Sequence, residues 1–154
     1  MKSLLSLCVL LSVAVVAMAD VALPYDDAGH AHAALAAGLS AARSDRKDVL
    51  LVFGANWCED CRALDKAMKG SSAALISSHF VVVKINVDNF DANLDIAKQY
   101  GNPIAKGIPA AVVITPGERI LYSTQAGELS NARRMSEHGI YDFFNSVIVP
   151  RGSH

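Results

Sequence analysis

The spacing of apolar residues changes several times along this chain, and each spacing points to a different element. Residues 27–44 (DAGHAHAALAAGLSAARS) are alanine-rich with Leu35 and Leu39 four apart, which favours a helix over a strand. Val49 to Phe53 is a short run, apolar on both faces, with charges before it and Gly54 after it, as expected of a buried strand. From Cys58 to Met68 the pattern turns helical. Cys61, Leu64 and Met68 fall on one face, Arg62, Asp65, Lys66 and Lys69 lie around the other, and Gly70 suits the break. A second helical piece over residues 71–79 leads into a strand over residues 80–88. Asn93 to Tyr100 reads as a short helix closed by Gly101. Residues 110–114 and 120–123 are β-rich runs with hairpin chemistry, Pro116-Gly117-Glu118, between them. Met135 to Val147 forms a last helix, its apolar face made by Met135, Ile140, Phe143, Phe144 and Val147 despite Gly139.

This order predicts an α/β domain with a mixed central β-sheet flanked by helices on both faces, and an extra helix at the N-terminal side. No internal repeat or low-complexity linker divides it. A length of 154 residues, 52% of them hydrophobic, fits one such domain. With 14 Lys and Arg against 15 Asp and Glu the formal net charge is -1, so no basic surface is available for phosphates and nucleic acid is not an expected partner.

The ends of the chain have a different character. One charge at Lys2, an apolar run from Leu4 to Met18 and the small-x-small site Ala17-Met18-Ala19 are the parts of a secretory signal peptide over residues 1–19. A membrane anchor is the competing reading, but the run is shorter than the ~20 residues that span a bilayer, and Asp20 ends it. The folded domain is then expected over residues 20–148. Residues 149–154 (VPRGSH) resemble a protease-cleavable tag remnant. Cys8 would leave with the leader, so the exported chain keeps two cysteines, Cys58 and Cys61. In a compartment where disulfides persist, so close a pair reads first as redox chemistry.

Cys58 falls where the first strand hands over to its helix, and free N–H groups at a helix start stabilise a thiolate. Because the thiolate is the attacking species, Cys58 is the expected nucleophile, and Cys61, one turn further in and more buried, the expected resolving thiol. A static disulfide is the bland alternative, but closing so small a loop removes little chain entropy. Zinc would need two further ligands. His30, His32, His79 and His138 supply no second pair at ligand spacing, so no metal site is expected.

Trp57-Cys58-Glu59-Asp60-Cys61 after a buried strand resembles the active site of the thioredoxin superfamily. Gly107-Ile108-Pro109 before the strand of residues 110–114 resembles that family's cis-proline loop, and Ala126-Gly127-Glu128 resembles its glycine-bearing stretch after the last strand. The likeness covers about residues 47–147. It implies a thioredoxin fold and, with a leader in front, kinship with exported bacterial proteins such as the TlpA-like reductases, working in the periplasm. It also implies that the Ile108 backbone beside a cis Pro109 pairs with an extended substrate segment, that Trp57 shields the sulfurs, and that Gly127 lets substrate backbone approach. Strand-entry rigidity for Pro109, core packing for Trp57 and a plain turn for Gly127 are the alternatives.

Two departures from the family matter. Thioredoxins place a buried aspartate six residues before the first cysteine, where this chain has Val52. Glu59-Asp60 replaces the usual Gly-Pro between the cysteines, and two carboxylates beside Cys58 oppose its ionisation. Strong oxidants of the DsbA kind have a thiol pKa of about 3.5 and thioredoxin about 7, so these modulating acids push the pair towards donating electrons. The expected activity is therefore reduction of protein disulfides by dithiol exchange, needing no cofactor, with re-reduction by a membrane thiol reductase of the DsbD type. An oxidase or isomerase, and a copper or zinc carrier using the same cysteines, are the competing functions. Between residues 88 and 107 lies an extra segment, longer than in a minimal thioredoxin, that bears on substrate choice. Its Asp88, Asp91, Asn93 and Asp95 lack the glycine and glutamate of a calcium loop and are better read as caps and solvated acids.

Overall fold

The run Val49 to Phe53 sits at the middle of the sheet. In the computed structural model, which describes residues 23–26 and 29–148, β1 (Asp48–Gly54) pairs in parallel with β2 (Phe80–Asn86) on one side. On its other side it pairs antiparallel with β3 (Ala110–Ile114), which carries β4 (Ile120–Ser123) at the edge, giving the order β2-β1-β3-β4. The expected leader with Cys8, the domain start at residue 20 and the tag-like residues 149–154 lie outside the described residues.

Strand side chains alternate between faces, so a run that is apolar throughout feeds two cores. Val49, Leu51 and Phe53 join Leu35, Leu39 and Ala42 of α1 (Ala31–Asp45) and Ile96 and Ala97 of α4 (Leu94–Gln99). Leu50 and Val52 join Leu64 and Met68 of α2 (Glu59–Lys69), Ile76 of α3 (Ala73–His79) and Ile140 and Phe144 of α5 (Glu137–Ser146). Each large aliphatic or aromatic side chain so buried contributes about 1.5–3 kcal/mol. The helices thus hold the sheet from both sides, as the pattern predicts.

Boundaries move where backbone geometry intervenes. The first helix starts at Ala31, four residues later than its composition suggests, because Gly29 has φ +74°, outside the helical region. The last helix starts at Glu137: Ser136 accepts the Gly139 N–H at 3.0 Å as its cap, and Met135 instead closes a 3-10 turn over Ala132–Arg134. β2 ends at Asn86, two residues early, since the Asn86 side chain accepts the Asp88 N–H at 2.9 Å and Asp88 turns to φ 44°. A second 3-10 turn, Pro103–Lys106, leads to the segment before β3. Both turns are too short to leave a period in the sequence.

Candidate active site

Ala55, Asn56 and Trp57 carry the chain from the end of β1 into α2, and Cys58 is the helix N-cap, with extended backbone at φ -74°, ψ 113°. Its sulfur accepts the backbone N–H of Cys61 at 3.2 Å, so one of the free donors of the helix start points at the reactive atom. Cys58 and Cys61 are joined as a disulfide, with Cα atoms 5.2 Å apart. Cys58 lines a cleft of about 540 Å³ with Trp57, Glu59, Asp60, Phe90, Ile108 and Arg133, whereas Cys61, 1% exposed, lies behind it. A substrate sulfur arriving by the cleft meets Cys58 first.

The Ile108-Pro109 peptide is cis, and the Ile108 carbonyl oxygen lies 3.7 Å from Cys58 Sγ. Main chain capable of pairing with an extended segment therefore borders the nucleophile. Pro109 stands at the entry to β3 and is not part of the cleft lining. Trp57 is 52% exposed, which sets aside the core-packing alternative. Its indole N–H donates to the Asp88 carbonyl at 3.0 Å, and its ring lies 6.5 Å from that of Phe90, also exposed.

Gly127 is not in the cleft. It has φ +74°, and a Cβ there would stand 2.8 Å from the Lys106 carbonyl oxygen and 2.9 Å from Ser130 Oγ, so the protein's own backbone needs the glycine. Substrate approach is not the reason the geometry supplies.

Glu59 and Asp60 are not the uncompensated acids their sequence position suggests. The Arg133 backbone N–H donates to Asp60 Oδ1 at 2.9 Å and its Nε lies 3.8 Å from Asp60 Oδ2, while its Nη1 pairs with Glu59. One guanidinium thus offsets part of two carboxylates, leaving the mouth of the cleft with a net negative charge. Arg133 is 73 residues from Asp60, and its only sequence signal is a basic pair, Arg133-Arg134, in a polar stretch.

Val52 is 1% exposed in the apolar cluster with Leu64 and supplies no proton carrier. Lys84, opposite Val52 in the sheet register, is partly buried and paired with Asp65 of α2. Burial pushes the Lys84 ammonium down to about 8. Asp65 also holds Lys69 at 2.8 Å. Tyr25, 4% exposed, packs into the core next to Gly54 and Cys61, its backbone clamped by Asn56. Nothing in the sequence around Tyr25 signals that position.

His30 and His32 are exposed and pair with Asp26 at 3.2 Å and Asp95 at 2.9 Å. Among the described residues no group of three or more His, Cys, Asp or Glu converges as metal ligands, and no helix is long and apolar enough to cross a membrane.

A mixed four-stranded sheet covered by helices on both faces, with a joined cysteine pair opening the helix after its central strand, defines a thioredoxin-fold protein with a two-cysteine redox site. A family model described as thioredoxin-like matches residues 30–116. The crystal structure of a disulphide isomerase from Xylella fastidiosa Temecula1 is 50% identical, with a TM-score of 0.80, over 83% of this chain and 98% of that one. The germline-specific thioredoxin Deadhead of Drosophila melanogaster is 26% identical over 70% of this chain and 87% of its own, with a TM-score of 0.47. No curated protein sequence matches the chain. The chain belongs to the thioredoxin-like family, and with its cysteine pair that makes it a thiol-disulfide oxidoreductase.

Proposed function

We propose that this protein works mainly as a reductase of protein disulfides, exported to the bacterial periplasm and re-reduced there by a membrane thiol reductase of the DsbD type. The observation that carries the reading is the placement of Cys58 at a helix N-terminus, in a cleft bordered by the Ile108 carbonyl, with Cys61 joined to it from behind. In the reduced protein the Cys58 thiolate attacks a substrate disulfide, one substrate sulfur leaves as a thiolate, and a mixed disulfide forms. Cys61 then attacks Cys58, the second substrate sulfur leaves, and two electrons have passed from the dithiol to the substrate. Trp57 and Ile108 receive the substrate segment, Pro109 sets the path of the Ile108 backbone, and Glu59 and Asp60 modulate the thiolate.

The direction of flow is supported by the charge balance around Cys58. Two carboxylates against one guanidinium leave a residual negative field that disfavours the thiolate, away from a strong oxidant. A Cys61→Ser variant tests the reading, since it should leave substrates attached through Cys58 and a Cys58→Ser variant should leave none. Equal recovery from both would refute it. Isomerase action is the second reading, favoured by the description of the 50%-identical Xylella protein. The reduction potential separates the directions: a value near about -270 mV marks a donor, one near about -120 mV an oxidant, and intermediate values suit an isomerase.

A further inference from the structure

Cys61 must become a thiolate although only 1% of it is exposed to water, and the usual helper of that step is missing. Val52 stands in an apolar cluster, Asp60 is held by Arg133, and Asp65 is held by Lys84 and Lys69. One buried polar group beside the resolving sulfur has no part in the mechanism so far. A Cβ on Gly54 would lie 2.2 Å from the Tyr25 hydroxyl oxygen and 2.9 Å from Cys61 Sγ, so hydroxyl and sulfur are neighbours across the space that the glycine leaves open. Tyr25 is also held in place. Asn56, two residues before the reactive cysteine, accepts its backbone N–H at 2.9 Å and donates to its carbonyl at 2.8 Å, and Lys84 Nζ sits 5.7 Å from its ring centroid. Burial pushes the Tyr25 phenol up, so it keeps its proton as a donor at neutral pH.

We infer that the Tyr25 hydroxyl donates a hydrogen bond to the Cys61 thiolate and thereby sustains the resolving step of the exchange. The inference rests on the oxidoreductase reading above. In the mixed disulfide, Cys61 gives its proton to water, and the thiolate formed is held by the Tyr25 O–H. That sulfur attacks Cys58 Sγ, the Cys58–Cys61 bond forms, and the bond from Cys58 to the substrate sulfur breaks with its electron pair. The departing thiolate takes a proton from water, and Tyr25 ends with the proton it began with. A hydrogen bond to an ionised partner counts for most where solvent is absent, and this is the less exposed of the two sulfurs. Among the titratable groups on the neighbouring elements, Cys58 is the reaction partner, and Asp60 and Asp65 of α2 and Lys84 of β2 are already paired.

Tyr25→Phe removes the oxygen and keeps the ring. Single-turnover reduction of a peptide disulfide by the full chain, quenched in acid and read by mass spectrometry, gives the rates of mixed-disulfide formation and of its resolution. The ratio of resolution to formation should fall about tenfold in the variant, as expected for loss of a hydrogen bond to a charged group. The acid limb of the resolution rate should move up by about one pH unit. An unchanged ratio and pH profile, or an equal slowing of both steps, would overturn the role of Tyr25. If the parent protein forms no mixed disulfide at all, the oxidoreductase reading itself fails, a result that cannot be mistaken for the other two.

Discussion

Gly54→Ala sets two opposing effects against each other at the back of the site. Gly54 ends β1 outside the left-handed region, so alanine is free to adopt its backbone conformation. By restricting the unfolded chain, such a change stabilises by about 0.4–1 kcal/mol. Against this, the new Cβ would stand 2.2 Å from the Tyr25 hydroxyl oxygen, 2.5 Å from Tyr25 Cζ and 2.9 Å from Cys61 Sγ, all closer than real contacts allow. If Tyr25 stays, ring and sulfur must shift in a dense interior, at a cost of about 1–3 kcal/mol. If Tyr25 leaves, the burial of a large aromatic is lost, about 1.5–3 kcal/mol. The unfavourable effect wins by either route, and the net loss should be about 1–2 kcal/mol. Urea unfolding of the oxidised protein measures it as a lower midpoint at constant slope. In a Tyr25→Ala background two of the three close approaches disappear, so the same glycine change should cost less than half as much. A Gly54→Ala protein as stable as the parent, or an equal loss in both backgrounds, would refute the packing argument.

Two further outcomes test the surrounding charges. Arg133→Gln leaves Glu59 and Asp60 uncompensated beside Cys58, so the thiolate becomes less favourable and the disulfide more so. Exposed pairs are worth about 0.2–1 kcal/mol, which converts to a reduction potential about 5–20 mV more negative. Equilibration with glutathione should show this shift, and Glu59→Gln with Asp60→Asn should move the potential the other way; a shift of the opposite sign in Arg133→Gln would sink the idea. Burial lowers Lys84 from 10.5 to about 8, so between those values the unfolded chain holds a proton that the folded chain has shed. Stability should therefore rise with pH across that window, the penalty for the buried ammonium being fully present below about 8. Lys84→Met should flatten this part of the stability curve, and an unaltered slope in the variant would show that Lys84 does not contribute.

Most of the fold was legible because its signals are short-range. The doubly apolar runs of β1 and β3 announce strands buried on both faces, and both lie at the centre of the sheet with helices above and below. The Leu35 and Leu39 pair, the Cys61, Leu64 and Met68 stripe, and the Pro116-Gly117-Glu118 turn depend on neighbours within a few residues. Cys58 at a helix start belongs to the same class, since a cap is set by the residues on either side of it. Boundaries were less legible. Gly29, Asn86 and Ser136 each ended or began an element through one backbone angle or one side-chain hydrogen bond.

The site divides in the same way. Its two sulfurs, Trp57 and the Ile108-Pro109 turn could be picked out from motifs a few residues long, and the fold then brought Cys58 and the Ile108 carbonyl within contact. Arg133 on Glu59 and Asp60, Phe90 beside Trp57, and Tyr25 against Cys61 could not. These partners are 33 to 74 residues apart or come from a segment with no pattern of its own, and what brings them together is sheet register and helix packing. The same distances changed the meaning of residues already singled out: Gly127 is required by Lys106, and the acids between the cysteines carry a counterion. Local order along a chain decides which elements form and where a nucleophile is capped. Which charges and hydroxyls surround that nucleophile is decided only when distant segments close over it, because electrostatics and packing act through space and not along the backbone.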